Sequence, residues 1–163
     1  MLKEKLIAES IRCLREEGLR FSLDSLAKRL KVSKKTIYQY FPSKEALAYA
    51  LYEKYYADMG QVVQKHLEQN DADLPTLLLR CYYDAACMVR GEIFNKYCLN
   101  SAVGEFALRR HAALWEKVAP QLCGSMTAAE AKTCRLIVDG AFDRAITQHA
   151  DSDEVIAVLR RLL

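Results

Sequence analysis

The chain has 163 residues, of which 52% are hydrophobic and 28% charged, and its formal net charge at pH 7 is +3. This length and composition are ordinary for a globular protein with a substantial core. No apolar run approaches the roughly 18 residues that a membrane-spanning helix needs, so we expect no contact with the membrane. The amphipathic N-terminus lacks the apolar core of an export signal, which predicts a cytoplasmic protein.

The charge is concentrated at one end of the chain. Residues 1–56 carry a net charge of +5, whereas residues 57–163 carry −2. A polyanion would therefore bind at the N-terminal end, although charged faces are often only solvated.

Six cysteines are scattered along the chain without a CxxC pair, which favours reduced, buried thiols over a disulfide framework. Cys81 and Cys87 are about 240° apart on a helix, so they do not share a face. A thiol-based or metal-based sensor remains an alternative. The six are Cys13, Cys81, Cys87, Cys98, Cys123 and Cys134.

Apolar residues recur at i, i+3 and i+4 throughout, and no stretch alternates over the length of a strand, which predicts an all-α fold of about nine helices. The first helix is expected over residues 2–17, with Gly18 as a left-handed stop. Ser43 is predicted to cap a long helix reaching about Leu67. The later helices are expected at 74–90 in the centre of the core, within 93–122 as two pieces with a boundary near Asn100, at 128–148 and at 152–162.

Two short helices lie between the first helix and the long one. Ser22 and Ser33 are predicted N-caps for helices at about 23–30 and 34–40, and a tight turn at Lys31 joins them. Such helical hairpins are most often only structural. The second helix, however, has fewer than two turns, so packing alone does not account for it.

The outer side of the helix at 34–40 is expected to be polar, because four residues are spaced i, i+1, i+4 and i+5: Lys34, Lys35, Tyr38 and Gln39. Ile37 and Phe41 face the opposite way. Lysines, an amide and a phenol suit the base edges and phosphates of a DNA major groove. Ser22, Ser33 and Lys44 start helices and are expected to contact phosphate.

The stretch FSLDSLAKRLKVSKKTIYQYFPSKEAL, residues 21–47, resembles the N-terminal signature of the tetracycline-repressor (TetR) family of transcriptional regulators. The matching residues are Ser22, Leu26, Ala27, Val32, Ser33, Thr36, Ile37, Tyr38, Tyr40, Phe41, Ser43, Lys44, Glu45 and Leu47. Lys31 departs from the pattern, because the family usually has glycine in this turn. The chain is also short for the family.

The resemblance implies a helix-turn-helix DNA-binding head over residues 1–47 and a helical effector-binding and dimerisation body over 48–163. It further implies that Thr36, Tyr38, Tyr40 and Lys44 hold phosphates. The residues implied as base readers are Lys34, Lys35 and Gln39.

The last two predicted helices carry broad apolar faces, made of Cys134, Ile137, Val138, Ala141, Phe142, Ala145, Val155, Leu159 and Leu162. The pattern alone fits a monomer core equally well. The resemblance implies a four-helix dimer interface here, and helix-turn-helix proteins usually dimerise on a palindromic operator.

Several aromatic and sulfur-containing residues of the central helices are candidates for an effector pocket: Cys81, Tyr82, Met88, Phe94, Tyr97, Cys98, Phe106 and Trp115. The polar groups within their reach are Arg80, Asp84, Arg109 and His111. The resemblance supports a small apolar or aromatic effector, but the same residues also suit an ordinary core.

No catalytic or metal-binding motif occurs, and the three histidines are isolated, so we expect neither an enzyme nor a cofactor. The sequence thus predicts a dimeric DNA-binding regulator, a repressor that an effector releases from a palindromic operator. The alternatives are a thiol- or metal-responsive regulator without an organic-ligand pocket, and a partner-binding module that has lost operator recognition.

Overall fold

The computed structural model describes residues 1–18, 21–69, 71–98 and 101–163, and these residues form nine α-helices and no strand. The all-α prediction is confirmed, and each predicted helix end lies within two residues of the observed one. The predicted boundary near Asn100 lies outside the described residues. The helices are α1 (Leu2–Glu17), α2 (Leu23–Leu30), α3 (Lys34–Tyr40), α4 (Lys44–Gln69), α5 (Leu74–Arg90), α6 (Glu92–Tyr97), α7 (Ala102–Cys123), α8 (Ala128–Thr147) and α9 (Ser152–Leu162).

Side-chain caps start the short helices. The Ser22 hydroxyl accepts a hydrogen bond from the Ser25 amide at 3.1 Å, and the Ser33 hydroxyl accepts one from the Thr36 amide at 3.1 Å. Each cap satisfies an amide that the first helical turn leaves without a backbone partner. Local sequence therefore fixes where α2 and α3 begin.

The turn between α2 and α3 has a left-handed backbone at Lys31, with φ 53° and ψ 41°. The Val32 amide closes the end of α2 by donating to the Ala27 carbonyl at 3.0 Å. Gly18 differs from its prediction: its φ is +57°, but its ψ of −128° lies outside the left-handed helical region. The glycine ends α1 through a conformation that side chains disfavour.

The head, residues 1–47, has its own hydrophobic cluster: Leu6, Ile7, Cys13, Leu26, Ala27, Ile37, Phe41 and Leu47. Arg29 of α2 also binds α1 electrostatically, with nitrogen–oxygen distances of 2.7 Å to Glu16 and 2.9 Å to Glu17. Apolar packing and these ion pairs hold α2 and α3 against α1.

The body, residues 48–163, is built around α5, which packs against α4, α6, α7, α8 and α9. Three tyrosines connect α4 to α5. The hydroxyls of Tyr52, Tyr55 and Tyr56 each donate a 3.0 Å hydrogen bond to an α5 carbonyl. None of the described helices is both long and apolar enough to cross a membrane.

The first helix belongs to both packing units. Ile11 contacts the head cluster and the body cluster, and Leu14 packs against the body. The Arg15 guanidinium donates to the Tyr55 hydroxyl at 3.4 Å and lies 5.4 Å from the centre of its ring. Head and body are therefore joined through α1 as well as through the continuous helix α4.

Candidate nucleic-acid interface

The side chains predicted to read DNA lie on the solvent-facing side of α3. Lys34, Lys35, Tyr38 and Gln39 are all exposed, Tyr38 by 42% of its surface, and we call these four residues the α3 face. Ile37, on the opposite side, is only 1% exposed. The apolar side of α3 anchors the helix to the head and leaves its polar side accessible.

The other predicted contact residues surround the α3 face. Ser22, Ser33, Tyr40 and Lys44 are exposed, whereas Thr36 is half-buried. Thr36 shares a hydrogen bond with Ser33, their hydroxyl oxygens being 2.9 Å apart. These two hydroxyls support each other at the start of α3.

One member of the α3 face has an acidic partner that the sequence analysis missed. The Lys34 ammonium lies 2.8 Å from the Asp24 carboxylate of α2. Both side chains are well exposed, so the pair contributes little to stability. The ion pair restrains Lys34 at the edge of the α3 face. It could not be predicted, because the two residues are ten positions apart and lie on different helices.

Residues 6–51 match the family model described as bacterial regulatory proteins, tetR family. The head is therefore similar to the N-terminal domain of tetR-family regulators. The match includes all of α2 and α3, most of α1 and the beginning of α4. It agrees with the resemblance carried by residues 21–47.

The chain is also similar to an uncharacterized HTH-type transcriptional regulator, YvaF, of Bacillus subtilis (strain 168). The two are 31% identical over 71 residues, which is 44% of this chain. The similar region spans 37% of the length of that relative. The similarity is therefore confined to part of each protein.

The predicted dimer residues, all in the body, divide into two groups. Five of them are buried within the chain: Cys134, Val138, Phe142, Ala145 and Leu159. Phe142 packs against Tyr82 and Tyr83 of α5, and Cys134 packs against Cys123 of α7. Their contribution to a dimer interface stays a prediction. Ala141 and Val155 are half-buried, and Ile137 and Leu162 are exposed.

Four large apolar side chains of α8 and α9, two of them among the predicted dimer residues, are exposed to solvent. Leu136 is 66% exposed and Ile137 49%, and a Cβ added at Gly140 would meet no atom within 4 Å. On α9, Val158 and Leu162 are exposed on one side, four residues apart. We call Leu136, Ile137, Val158 and Leu162 the outer face.

Most of the predicted pocket residues are packed in the core or stand on the surface. Cys81, Tyr82 and Trp115 are buried, Phe106 packs edge-on against Tyr49, Cys98 is half-buried, and Tyr97 is 59% exposed. None of these six lines the cavity that lies between α1 and the body. Met88 and Phe94 do line it.

That cavity, of about 550 Å³, lies between the head and the body, and we call it the junction cleft. Its walls include Leu14 and Arg15 of α1, Tyr52 of α4, Asp84 and Cys87 of α5, and Ile146 of α8. Reduced hydration in the cleft raises the pKa of the Asp84 carboxyl, an effect that Arg15 and Arg80 oppose. Sequence reasoning missed the contribution of α1, because no local signal places one helix end against another domain.

His111, predicted as a polar group near a pocket, lies in the middle of the body. Its ring stacks on Tyr82, with centroids 4.5 Å apart, and neither ring nitrogen has a hydrogen-bond partner among the described residues. Burial, with smaller contributions from Arg90 and Arg135, lowers the pKa of His111 to about 3. The imidazole is therefore neutral at neutral pH.

Proposed function

We propose that the protein is a DNA-binding transcriptional regulator that acts in the cytoplasm, binds a palindromic operator as a homodimer and represses transcription. The observation that carries the proposal is the exposed α3 face on a helix whose other side is anchored by Ile37. Lysines, an amide and a phenol offer donors to base edges and positive charge to phosphates. The tetR-family match of the head supports the same function.

Within the proposed complex, α3 enters the major groove. Lys34, Lys35 and Gln39 reach the base edges, and phosphates are held by Ser22, Ser33, Thr36, Tyr38, Tyr40 and Lys44. Helix N-termini add to this binding, because their free amides and dipoles favour anions. The Asp24 carboxylate has to release Lys34 for it to reach a base.

The homodimer forms, in this proposal, through the outer face of α8 and α9. A helix as short as α3 reads too few bases for one head to be specific, so two heads on a palindrome are needed. The outer face exposes four large apolar side chains, which gain stability when a second copy covers them. A two-fold axis there would pair the same surface of both protomers.

A small effector binding in the junction cleft would release the operator. The cleft is lined by α1 and α4, the two helices that join head and body, so a ligand there contacts both connections at once. Its walls are mainly apolar, with Arg15, Asp84, Glu92 and His149 as ionisable groups, which suits a small aromatic compound carrying a polar substituent. A coupling of about 1–3 kcal/mol between the two sites weakens DNA binding several-fold to about a hundredfold.

Fluorescence anisotropy with duplex DNA tests the proposal, after the bound site has been selected from a random library. Lys35→Ala and Tyr38→Ala should each weaken binding at least fivefold, because each removes a contact to DNA. Lys65→Ala and Tyr97→Ala are the matched controls, since they remove exposed side chains of the same two types outside the α3 face. The controls should bind as tightly as the unmodified protein.

Salt dependence measures how many phosphates the bound protein neutralises. Lys44 on each of two heads predicts a slope of about −2 in a plot of log affinity against log salt concentration. Equal losses in the α3 variants and the controls, or a selection that enriches no palindrome, would reject the proposal.

A further inference from the structure

Two of the cysteines meet at the corner between α7 and α8. Cys123 is the last residue of α7, Cys134 lies on α8, and their sulfur atoms are 2.9 Å apart. Both are free thiols and both are buried. Among the described residues, no other two cysteine sulfurs are within hydrogen-bonding distance of each other.

The α7–α8 corner is held in a fixed shape. The Met126 amide donates to the Cys123 carbonyl at 2.9 Å, and a capping box of Thr127 and Glu130 starts α8. Gly124 is needed in this corner, because a Cβ there would lie 2.4 Å from the Pro120 carbonyl oxygen. The backbone of the corner therefore keeps the two thiols in contact.

Little movement separates this contact from a covalent bond. A disulfide places its sulfurs about 2.05 Å apart, so closure from 2.9 Å requires an approach of roughly 0.9 Å. Two thiols that are already adjacent also lose little conformational freedom when they join, which favours an intrachain bond over a mixed disulfide.

We propose that Cys123 and Cys134 are a redox modification site that closes into an intrachain disulfide when the protein meets a low-molecular-weight disulfide. The Cys123 thiolate attacks one sulfur of that oxidant, which forms a mixed disulfide and expels one thiolate. The Cys134 thiolate then attacks the Cys123 sulfur and expels the second. The protein loses two protons and two electrons, and the oxidant is reduced to two thiols.

The first attack needs a local opening of the corner, since both sulfurs are shielded from solvent. Pro120 lies inside the last turns of α7 and has no amide hydrogen to donate, so this helix end is held by fewer hydrogen bonds than a regular one. Burial, with the neighbouring Cys123 as a smaller cause, raises the pKa of the Cys134 thiol. Oxidation should therefore be slow at neutral pH and faster in alkaline solution.

The bond would tie α7 directly to α8, the helix that carries Leu136 and Ile137 of the outer face. The chemistry does not depend on DNA binding or on dimerisation, so it can succeed or fail independently of the proposed function. The alternative is that both cysteines are purely structural and act as small, unreactive apolar side chains in the core.

The test treats the native, full-length protein with oxidised glutathione at pH 8, blocks free thiols with N-ethylmaleimide and maps peptides without reduction. The expected product is a peptide linked between Cys123 and Cys134, with two hydrogens fewer than the reduced pair, that dithiothreitol reverses. The melting temperature should rise by about 5 to 10 °C on oxidation.

Two variants sharpen the result. Cys123→Ser should lose the oxidant-dependent rise in melting temperature, whereas Cys81→Ser, which removes another buried thiol, should keep it. Should Cys123→Ser not fold, the peptide map of the unmodified protein decides alone. Recovery of both residues as free thiols or as glutathione adducts, or a link that forms only in denaturant, would overturn the proposal.

Discussion

His111 packs its imidazole ring against Tyr82, and its pKa of about 3 is far below the 6.5 of an unperturbed histidine. The unfolded chain therefore takes up a proton as the pH falls below about 6.5, whereas the folded protein does not until about pH 3. The contribution of this neutral ring to stability is complete above pH 6.5. It is lost progressively as the pH falls towards 3.

Replacing His111 should make the protein less sensitive to acid. Between pH 7 and pH 5 the proton linkage of this residue costs the unmodified protein about 2 kcal/mol of unfolding free energy. His111→Phe keeps an aromatic ring but cannot bind the proton, so its stability should fall less over that range. Urea denaturation at the two pH values measures the difference.

The matched control is His149→Asn, which removes an exposed histidine and tolerates the positive φ of 52° at that position. It should show the same pH dependence as the unmodified protein. A His111→Phe variant that loses as much stability as the control between pH 7 and pH 5 would contradict the neutral, buried imidazole.

The turn between α2 and α3 stores strain at the scale of one element. Lys31 has a left-handed backbone, which costs a residue with a side chain about 1 kcal/mol. Lys31→Gly should relieve this strain, but the greater freedom of glycine in the unfolded chain offsets about half of the gain. We therefore expect the unfolding free energy to rise by about 0.5 kcal/mol. Thermal and urea denaturation measure this change.

Lys31→Ala separates strain from charge. It removes the same ammonium group but keeps a Cβ, so it should not be stabilised. Equal stabilisation of the alanine and glycine variants would mean that the lost charge, and not the relieved backbone, is the cause.

The outer face predicts the effect of a charge on α8. Ile137→Asp should turn the proposed dimer into a monomer with unchanged helicity, because the side chain is exposed in the protomer but would be buried against a second copy. Analytical ultracentrifugation measures the mass, and circular dichroism the helicity. Val62→Asp, at an exposed apolar residue of α4, is the matched control and should stay dimeric. A dimeric Ile137→Asp variant would rule this interface out.

Local chemistry explains which elements could be predicted. Serine caps, the Thr127–Glu130 capping box and the Asp73-Leu74-Pro75 start each act within one helical turn, so the helix ends follow from the sequence. The α3 face was predictable for the same reason, because periodicity separates Ile37 from its polar neighbours. Its role in DNA binding stays a prediction.

Packing partners could not be predicted in the same way. On α8, Ile137 and Val138 are adjacent and equally apolar, yet one is exposed and the other is fully buried. The sequence shows that α8 has a broad apolar surface, but only the position of α5 and α9 decides which stripe they cover. The buried Tyr82 and the exposed Tyr97 illustrate the same limit.

At the scale of the whole molecule, the junction cleft places the proposed effector site against α1 of the head. Ile146→Trp should fill part of the cleft and push α1 away from the body, and we expect DNA binding at least fivefold weaker. Anisotropy measures the affinity, and the fluorescence of the added indole reports whether it is shielded. Ile146→Leu, of equal volume, is the control and should bind normally. A shielded tryptophan with unchanged affinity would separate the cleft from DNA binding.

Helix α1 packs against both hydrophobic clusters, and this limits where the chain can be cut to make a chimeric protein. A fragment cut after residue 47 would carry Ile11 and Leu14 into water and leave Arg15 without Tyr55. Such a fragment would expose apolar surface and tend to aggregate unless the domain fused to it covered that surface. A transplant of the head therefore has to include the part of α4 that carries Tyr55, or replace the apolar side of α1 with polar residues.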